Sequence, residues 1–372
     1  MSKHILVIGG GVIGLSAALE CRHRGHEVTV LEAGTCGGQA SGAAAGMLAP
    51  YAEAGEEPDA LFRLCQLSLR RTADWVQKVE EESGISVGYR KNGSLQVVFH
   101  EADAFLLESK RRWLREAGAE AEVVSGNRLG QMEPGLGQGA VAALWCPEEA
   151  HVYSPDYVQA LQSACRKAGV RIREQLGRLI WQGHQGDKRV KSPAGEAFEG
   201  DEVVLAAGAW SCEWEQSLGM AVPVHPIRGQ ICAYTGVDAP RHLVFTSQGY
   251  LVAKPNGTLV CGASEDVAGF DTRVTERGIR RLESWNKDVW PALQGEQPFH
   301  HWAGLRPATQ DGFPLIGRLT RHPEVILATG HYRNGILMSP ITAEIIADLV
   351  DEKSPALPLD SYHPERFAVT SY

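Results

Sequence analysis

Apolar and polar positions along the chain alternate between two rhythms, and each rhythm marks a region. Residues 5–8 are a short unbroken apolar run that stops at Gly9-Gly10-Gly11, and residues 12–24 continue with apolar positions at helical spacing. Gly25 follows a basic last turn, as expected where the carbonyl end of a helix attracts cations. Residues 27–31 then read as a second strand, with Glu32 at its end. Residues 59–82 carry Leu61, Leu64, Leu67, Leu69 and Trp75 among charges, which predicts an amphipathic helix. Residues 93–100 read as a strand, and residues 102–117 as a charged amphipathic helix ended by Gly118. Ser154-Pro155-Asp156 has the form of a helix start, with a hydroxyl cap, an early proline and an acid in the first turn. That helix runs to about Lys167, and residues 170–181 return as a strand.

Residues 202–207 and 325–328 are continuously apolar, which suits strands buried on both faces of a parallel sheet. The first leads through Gly208-Ala209-Trp210-Ser211 toward a helix, and the second precedes a helical stretch at 335–350. Between them, residues 222–234, 243–254 and 258–261 alternate as half-buried antiparallel strands do. The fold class expected is therefore α/β, a discontinuous Rossmann-like domain plus an antiparallel-sheet α+β substrate domain. The first takes residues 1–83, 147–221 and 307–372, and the second residues 84–146 and 222–306. A chain of 372 residues is longer than one ordinary core requires, which agrees with two domains. Residues 33–50 are mostly small and leave the strand that carries Glu32, so they must pass beside a bound ligand, where small side chains admit backbone amides.

The net charge of −9, without a basic cluster, argues against a nucleic-acid partner. Eight cysteines are scattered with no C-x-x-C pair, so neither a metal site nor a disulfide framework is expected. His300 and His301 are adjacent and point to opposite faces of a strand, which prevents easy sharing of one metal. No signal peptide or membrane span is read from the sequence, and a cytoplasmic protein is expected.

The chemistry begins at G-x-G-x-x-G. Gly9 serves the tight turn, Gly11 the close approach of backbone to a pyrophosphate, and Gly14 the packing of helix on strand. The free N–H groups of the helix start face the phosphate, and Glu32 can accept from both ribose hydroxyls. An acid there disfavours a 2′-phosphate and hence NADP. Spacing alone leaves NAD and FAD both open. Arg306 precedes Pro307, which biases it toward extended backbone, and a guanidinium suits a carboxylate ligand as well as a surface ion pair.

With the N-terminal βαβ unit, SGAAAGMLAP, AAGAW, WAGLRPATQDGFPLIG and ATGHYRNGILMSP in order, the chain resembles the D-amino-acid-oxidase-like flavoproteins over essentially its whole length. Within them it is most similar to the glycine oxidases of thiamine thiazole biosynthesis. The resemblance implies FAD, contacted by Gly9, Gly11, Val12, Ile13, Gly14, Glu32, Ala33, Ala40, Ser41, Ala45, Gly46 and Met47. It extends the cofactor contacts to Arg178, His331, Tyr332, Arg333, Asn334, Gly335, Ile336 and Leu337. It implies that Arg306 and Tyr250 hold a substrate carboxylate, with Arg333 near it. Gln248 and Glu265 depart from a Bacillus-type relative, which carries histidine and methionine there. Gln248 is expected on the strand face of Tyr250, and Glu265 as a buried acid near the ligand. Covalent flavin attachment in the sarcosine oxidase branch needs a cysteine near the Arg306 strand; the nearest is Cys261 and none follows, so FAD is expected to be non-covalent.

The reaction implied is oxidation of glycine, sarcosine or a small D-amino acid by hydride transfer, giving a 2-oxo acid, an amine or ammonia, and hydrogen peroxide from oxygen. No side-chain acid or base is assigned. Relatives imply a homo-oligomer, a tetramer. A quinone-coupled dehydrogenase, a D-amino acid or sarcosine oxidase, and an RNA-modifying or assembly flavoprotein remain the rival readings.

Overall fold

The computed structural model describes residues 1–182 and 189–367. Its frame is a six-stranded sheet in the order Leu315–Arg318, Val325–Thr329, Glu202–Leu205, His4–Ile8, Glu27–Leu31 and Arg171–Arg173. All neighbours run parallel except the Leu315–Arg318 edge. Glu202–Leu205 and Val325–Thr329 are buried throughout, as their unbroken apolar runs require. One face is covered by the helices Val12–His23, Ser154–Lys167 and Gly335–Val350, with Ala60–Ser83 packed on the last two, and their apolar residues form the largest core. The other face buries Leu6, Ile8, Val203 and Leu205 against Trp181 and Val190 of a small antiparallel sheet.

The second sheet has eight strands: His300–Thr309, Val224–Thr235, Thr258–Gly262, Tyr250–Ala253, Leu243–Phe245, Ser94–Val98, Ala142–Cys146 and Glu122–Ser125. It is antiparallel except for Leu243–Phe245 beside Ser94–Val98. His300–Thr309 pairs with Val224–Thr235 along its whole length, which fixes Arg306 opposite Ile227; that same strand crosses the 306/307 position expected to divide the domains. Helix Glu276–Val289 packs Ile279, Leu282 and Trp285 on this sheet. Among the described residues no helix is long and apolar enough to cross a membrane.

Helix boundaries follow their caps. Asp59 accepts from the Phe62 N–H at 2.7 Å, and Gly84, at φ +71°, ends the same helix. Four expectations need correction. Ser154 is not a cap: Tyr153 holds that position, and the Ser154 hydroxyl is buried inside the first turn against Gly46 without a hydrogen-bond partner. Residues 170–181 are not one strand. Arg171–Arg173 joins the parallel sheet, and left-handed Gln175 and Gly177, bonded to the carbonyls of Gly34 and Ala33, turn the chain to Ile180–Trp181 of the small sheet. Residues 243–254 are likewise split, because a turn closed by Thr246 N–H to the Gly249 carbonyl separates Leu243–Phe245 from Tyr250–Ala253. Residues after Gly208 tighten into a 3-10 helix, Gly208–Trp214, before the short helix Glu215–Leu218.

Candidate active site

A cavity of about 1150 Å³ lies where the carboxyl ends of the parallel strands face the large sheet. Its wall is built from Ile8, Leu31, Ala206 and Ala328 on one side and Gly229, Tyr250, Gly304 and Arg306 on the other. Ligands of open α/β sheets occupy this end, beyond the carboxyl termini of the strands.

The nucleotide side is assembled by the glycine turn. Gly9 has φ +106°, and a Cβ there would overlap the Ala206 carbonyl. A Cβ on Gly14 would overlap the Gly9 carbonyl, so Gly14 serves the seating of the helix and stands behind the cavity wall. Gly11, Val12 and Ile13 reach the wall themselves, and the Val12 N–H donates to the Ser41 hydroxyl at 2.9 Å. Ser41 thus supplies from another segment the hydroxyl that Gly11, the N-cap residue, lacks. Glu32 accepts from the Gly10 N–H at 2.6 Å and the Gly34 N–H at 2.7 Å. These bonds fix its carboxylate at the strand end and leave lone pairs for a ribose. Ala33, Ala40, Ala45, Gly46 and Met47 complete this wall. Arg178 lies on it too, half exposed and ion-paired with Glu213 at 3.0 Å.

The opposite end centres on helix Gly335–Val350. Its N-cap, Asn334, makes no side-chain cap, its first turn holds no acid, and Gly335 and Ile336 lie on the cavity wall. The leading N–H groups therefore present partial positive charge to the cavity. Asn334 and Leu337 stand behind the wall rather than on it; Leu337 turns its carbonyl to Ser68, whose hydroxyl donates at 2.6 Å. His331 is buried, bonded to the Thr342 hydroxyl at 3.1 Å, and burial pushes its pKa down to about 3. Tyr332 donates its N–H to the Pro307 carbonyl at 2.9 Å, which ties this helix start to the Arg306 strand.

Arg306 donates from Nη1 to the Ser264 carbonyl at 3.0 Å, and among the described residues no carboxylate pairs with it. Gly229 makes room, since a Cβ there would overlap the guanidinium. Tyr250 lines the same space; burial raises its phenol pKa, opposed by the Arg306 charge. Arg333 is placed differently. Its Nη1 is 3.3 Å from Glu265 and its Nε 3.8 Å from Glu53. Glu265 is therefore a half-exposed ion-pair partner, not the buried acid expected. Gln248 is exposed in the 246–249 turn rather than on a strand, although it still lines the cavity.

Three further side chains escaped the sequence. Glu53 lines the cavity from a loop that also carries the exposed Glu56, Glu57 and Asp59, so composition gave no signal of its role. Burial raises its pKa, opposed by Arg333 and Arg306. Lys110 donates to the carbonyls on either side of Glu53, those of Ala52 at 3.0 Å and Ala54 at 2.9 Å. Buried Lys254 donates to the carbonyls of Ala45 and Val152, and burial lowers its pKa to about 7. It secures the backbone of the small-residue wall from behind.

A glycine turn with overlapping-Cβ positions, two helix starts and a ribose-directed acid fit an extended dinucleotide, and a guanidinium meets its far end. That arrangement defines a dinucleotide-dependent oxidoreductase. The model of the family described as DAO, FAD dependent oxidoreductase, matches residues 4–349. The chain belongs to this family, and its cofactor is FAD. It is 34% identical over its full length to a Bifunctional protein ThiO/ThiG of Synechocystis sp., of which it spans 55%. It is 32% identical to a Glycine oxidase of Geobacillus kaustophilus, covering 95% of this chain and 94% of that one. The crystal structure of glycine oxidase from Geobacillus kaustophilus superposes with a TM-score of 0.93 at 29% identity, over 98% of this chain and 99% of the other.

Proposed function

We propose that the protein is an FAD-dependent amine oxidase that acts on glycine first, and on sarcosine and small D-amino acids. FAD, when bound, supplies the two-electron acceptor, with the helix start at Gly335 available to stabilise negative charge on it. Arg306 and Tyr250 bind the substrate carboxylate and so orient the α-carbon; the catalysis this chain supplies is chiefly positioning. The substrate ammonium loses its proton before hydride leaves, and no side chain is assigned as base. For glycine the balance is glycine, oxygen and water to glyoxylate, ammonia and hydrogen peroxide.

The observation that carries this reading is Arg306, without a carboxylate partner among the described residues, in the cavity that the Gly335 helix start faces. The similarity to glycine oxidases supports the substrate, and the ThiO/ThiG relatives support a role in thiamine thiazole formation. The remaining expectations belong to the same reading: two domains with the boundaries given above, non-covalent FAD, oxygen as acceptor and a homo-oligomer. Peroxide release by the purified yellow protein with glycine, sarcosine and D-alanine tests it. Glycine-dependent peroxide is expected; dye reduction without oxygen consumption would point instead to a dehydrogenase.

A further inference from the structure

Two guanidiniums reach this cavity, and their surroundings differ. Among the described residues Arg306 is held by a backbone carbonyl alone, whereas Arg333 lies between Glu265 at 3.3 Å and Glu53 at 3.8 Å and stacks 5.6 Å from the Tyr332 ring centroid. The backbone on both sides of Glu53 is held in place. Lys110 bonds the carbonyls on both sides of it, and fully buried Glu149 accepts from the N–H groups of Tyr51 at 2.5 Å and Ala52 at 3.0 Å. The Oε2 atom of Glu53 is buried with no hydrogen-bond partner among the described residues, and the two guanidiniums are the charges that favour its ionised form most. With Glu53 ionised the two arginines and two glutamates sum to zero before substrate enters; with Glu53 protonated, the direction in which burial pushes it, they sum to +1. Binding one carboxylate at Arg306 then leaves no uncompensated cation for a second.

We propose that Glu265, together with the clamped Glu53, occupies Arg333 and restricts the cavity to amines that carry a single carboxylate. A second carboxylate attached through the nitrogen would meet Glu265 and Glu53 rather than an open guanidinium. Glu265 touches no reacting atom in this proposal; it acts through Arg333 as a specificity-determining positioning residue. The proposal rests on the amine-oxidase reading above and names its substrate class more narrowly.

The test compares three amines in the holoenzyme: glycine, sarcosine, and iminodiacetate, which adds to glycine a second carboxymethyl on nitrogen. Sarcosine controls for substitution at nitrogen without charge. In the wild type, iminodiacetate is expected to give far lower kcat/KM than sarcosine. Glu265→Gln is expected to raise the iminodiacetate-to-sarcosine ratio about fivefold, mainly through KM, the scale set by one half-exposed ion pair. Glu265→Asp, which keeps the charge, should retain the wild-type ratio, and adding Glu53→Gln to Glu265→Gln should raise it further. Glu265→Met provides a second neutral variant of different shape. A ratio unchanged in both neutral variants, in enzymes that still oxidise glycine, overturns the proposal while leaving the amine-oxidase reading intact. A wild type that oxidises none of the three amines overturns both.

Discussion

Arg306 is where sequence and geometry meet most directly. Its extended backbone before Pro307 and its ten-residue pairing with Val224–Thr235 aim it into the cavity, and Gly229 leaves the volume it needs. Replacing it by alanine should remove the two charge-assisted hydrogen bonds proposed to a substrate carboxylate, about 1.5–3 kcal/mol each, and KM should rise by roughly 100-fold or more. FAD content should stay at the wild-type level, as read from the visible spectrum. Tyr250→Phe removes one neutral donor and should cost about threefold to tenfold in kcat/KM. An unchanged KM in Arg306→Ala removes Arg306 from the site. At this scale the sequence was readable where a motif fixed the register, as at Glu32, and misleading where it did not. Glu265 looked like a buried acid because nothing local shows that Arg333 comes to meet it from residues far along the chain. Glu53 was hidden among Glu56, Glu57 and Asp59, whose exposed positions its own composition imitates.

Elements decide how the cofactor wall is held. The parallel strands and the Gly335–Val350 helix were legible because continuous burial and helical period leave strong marks on sequence. The break within residues 170–181 was not, since it depends on carbonyls of residues 33 and 34 arriving from elsewhere. The same holds for Lys254, which ends the strand Tyr250–Ala253 like any solvated residue before a turn, yet is buried against Ala45 and Val152. Its amine satisfies the Ala45 carbonyl of the small-residue wall and the Val152 carbonyl behind it, so Lys254→Met leaves both without this buried donor. About 1–3 kcal/mol is at stake for each such group. FAD affinity is expected to fall roughly tenfold or more, measured as flavin fluorescence released on dilution. Retention of wild-type affinity would show that the wall does not depend on this amine.

The whole molecule should feel pH through its buried titratable groups. His151 and His331 have their pKa pushed down to about 3 by burial, with the charges of Lys254 and Arg90 adding to the effect at His151. Between pH 6.5 and 3 the unfolded chain takes up protons on both that the native state refuses, so stability falls as pH falls through that window. Glu149 works the other way, since burial raises its pKa to about 7 and the native state binds its proton first. Each histidine alone contributes a loss of about 1.4 kcal/mol per pH unit between roughly 6.5 and 4.5, and Glu149 together with Glu53, whose pKa burial also raises, offsets part of the sum. Urea midpoints at pH 7 and pH 5 measure it, and His331→Gln should flatten the slope; equal slopes in the two proteins would remove His331 from the account.

The central claim is that a carboxylate held at Arg306 brings an amine's α-carbon against FAD bound along the parallel strand ends. Anaerobic mixing of the yellow holoenzyme with glycine tests it most directly, by following the visible flavin absorbance. Bleaching that saturates with glycine is expected in the wild type, and bleaching in Arg306→Ala only at far higher glycine. A wild-type spectrum that stays unbleached at saturating glycine, sarcosine and D-alanine would contradict it.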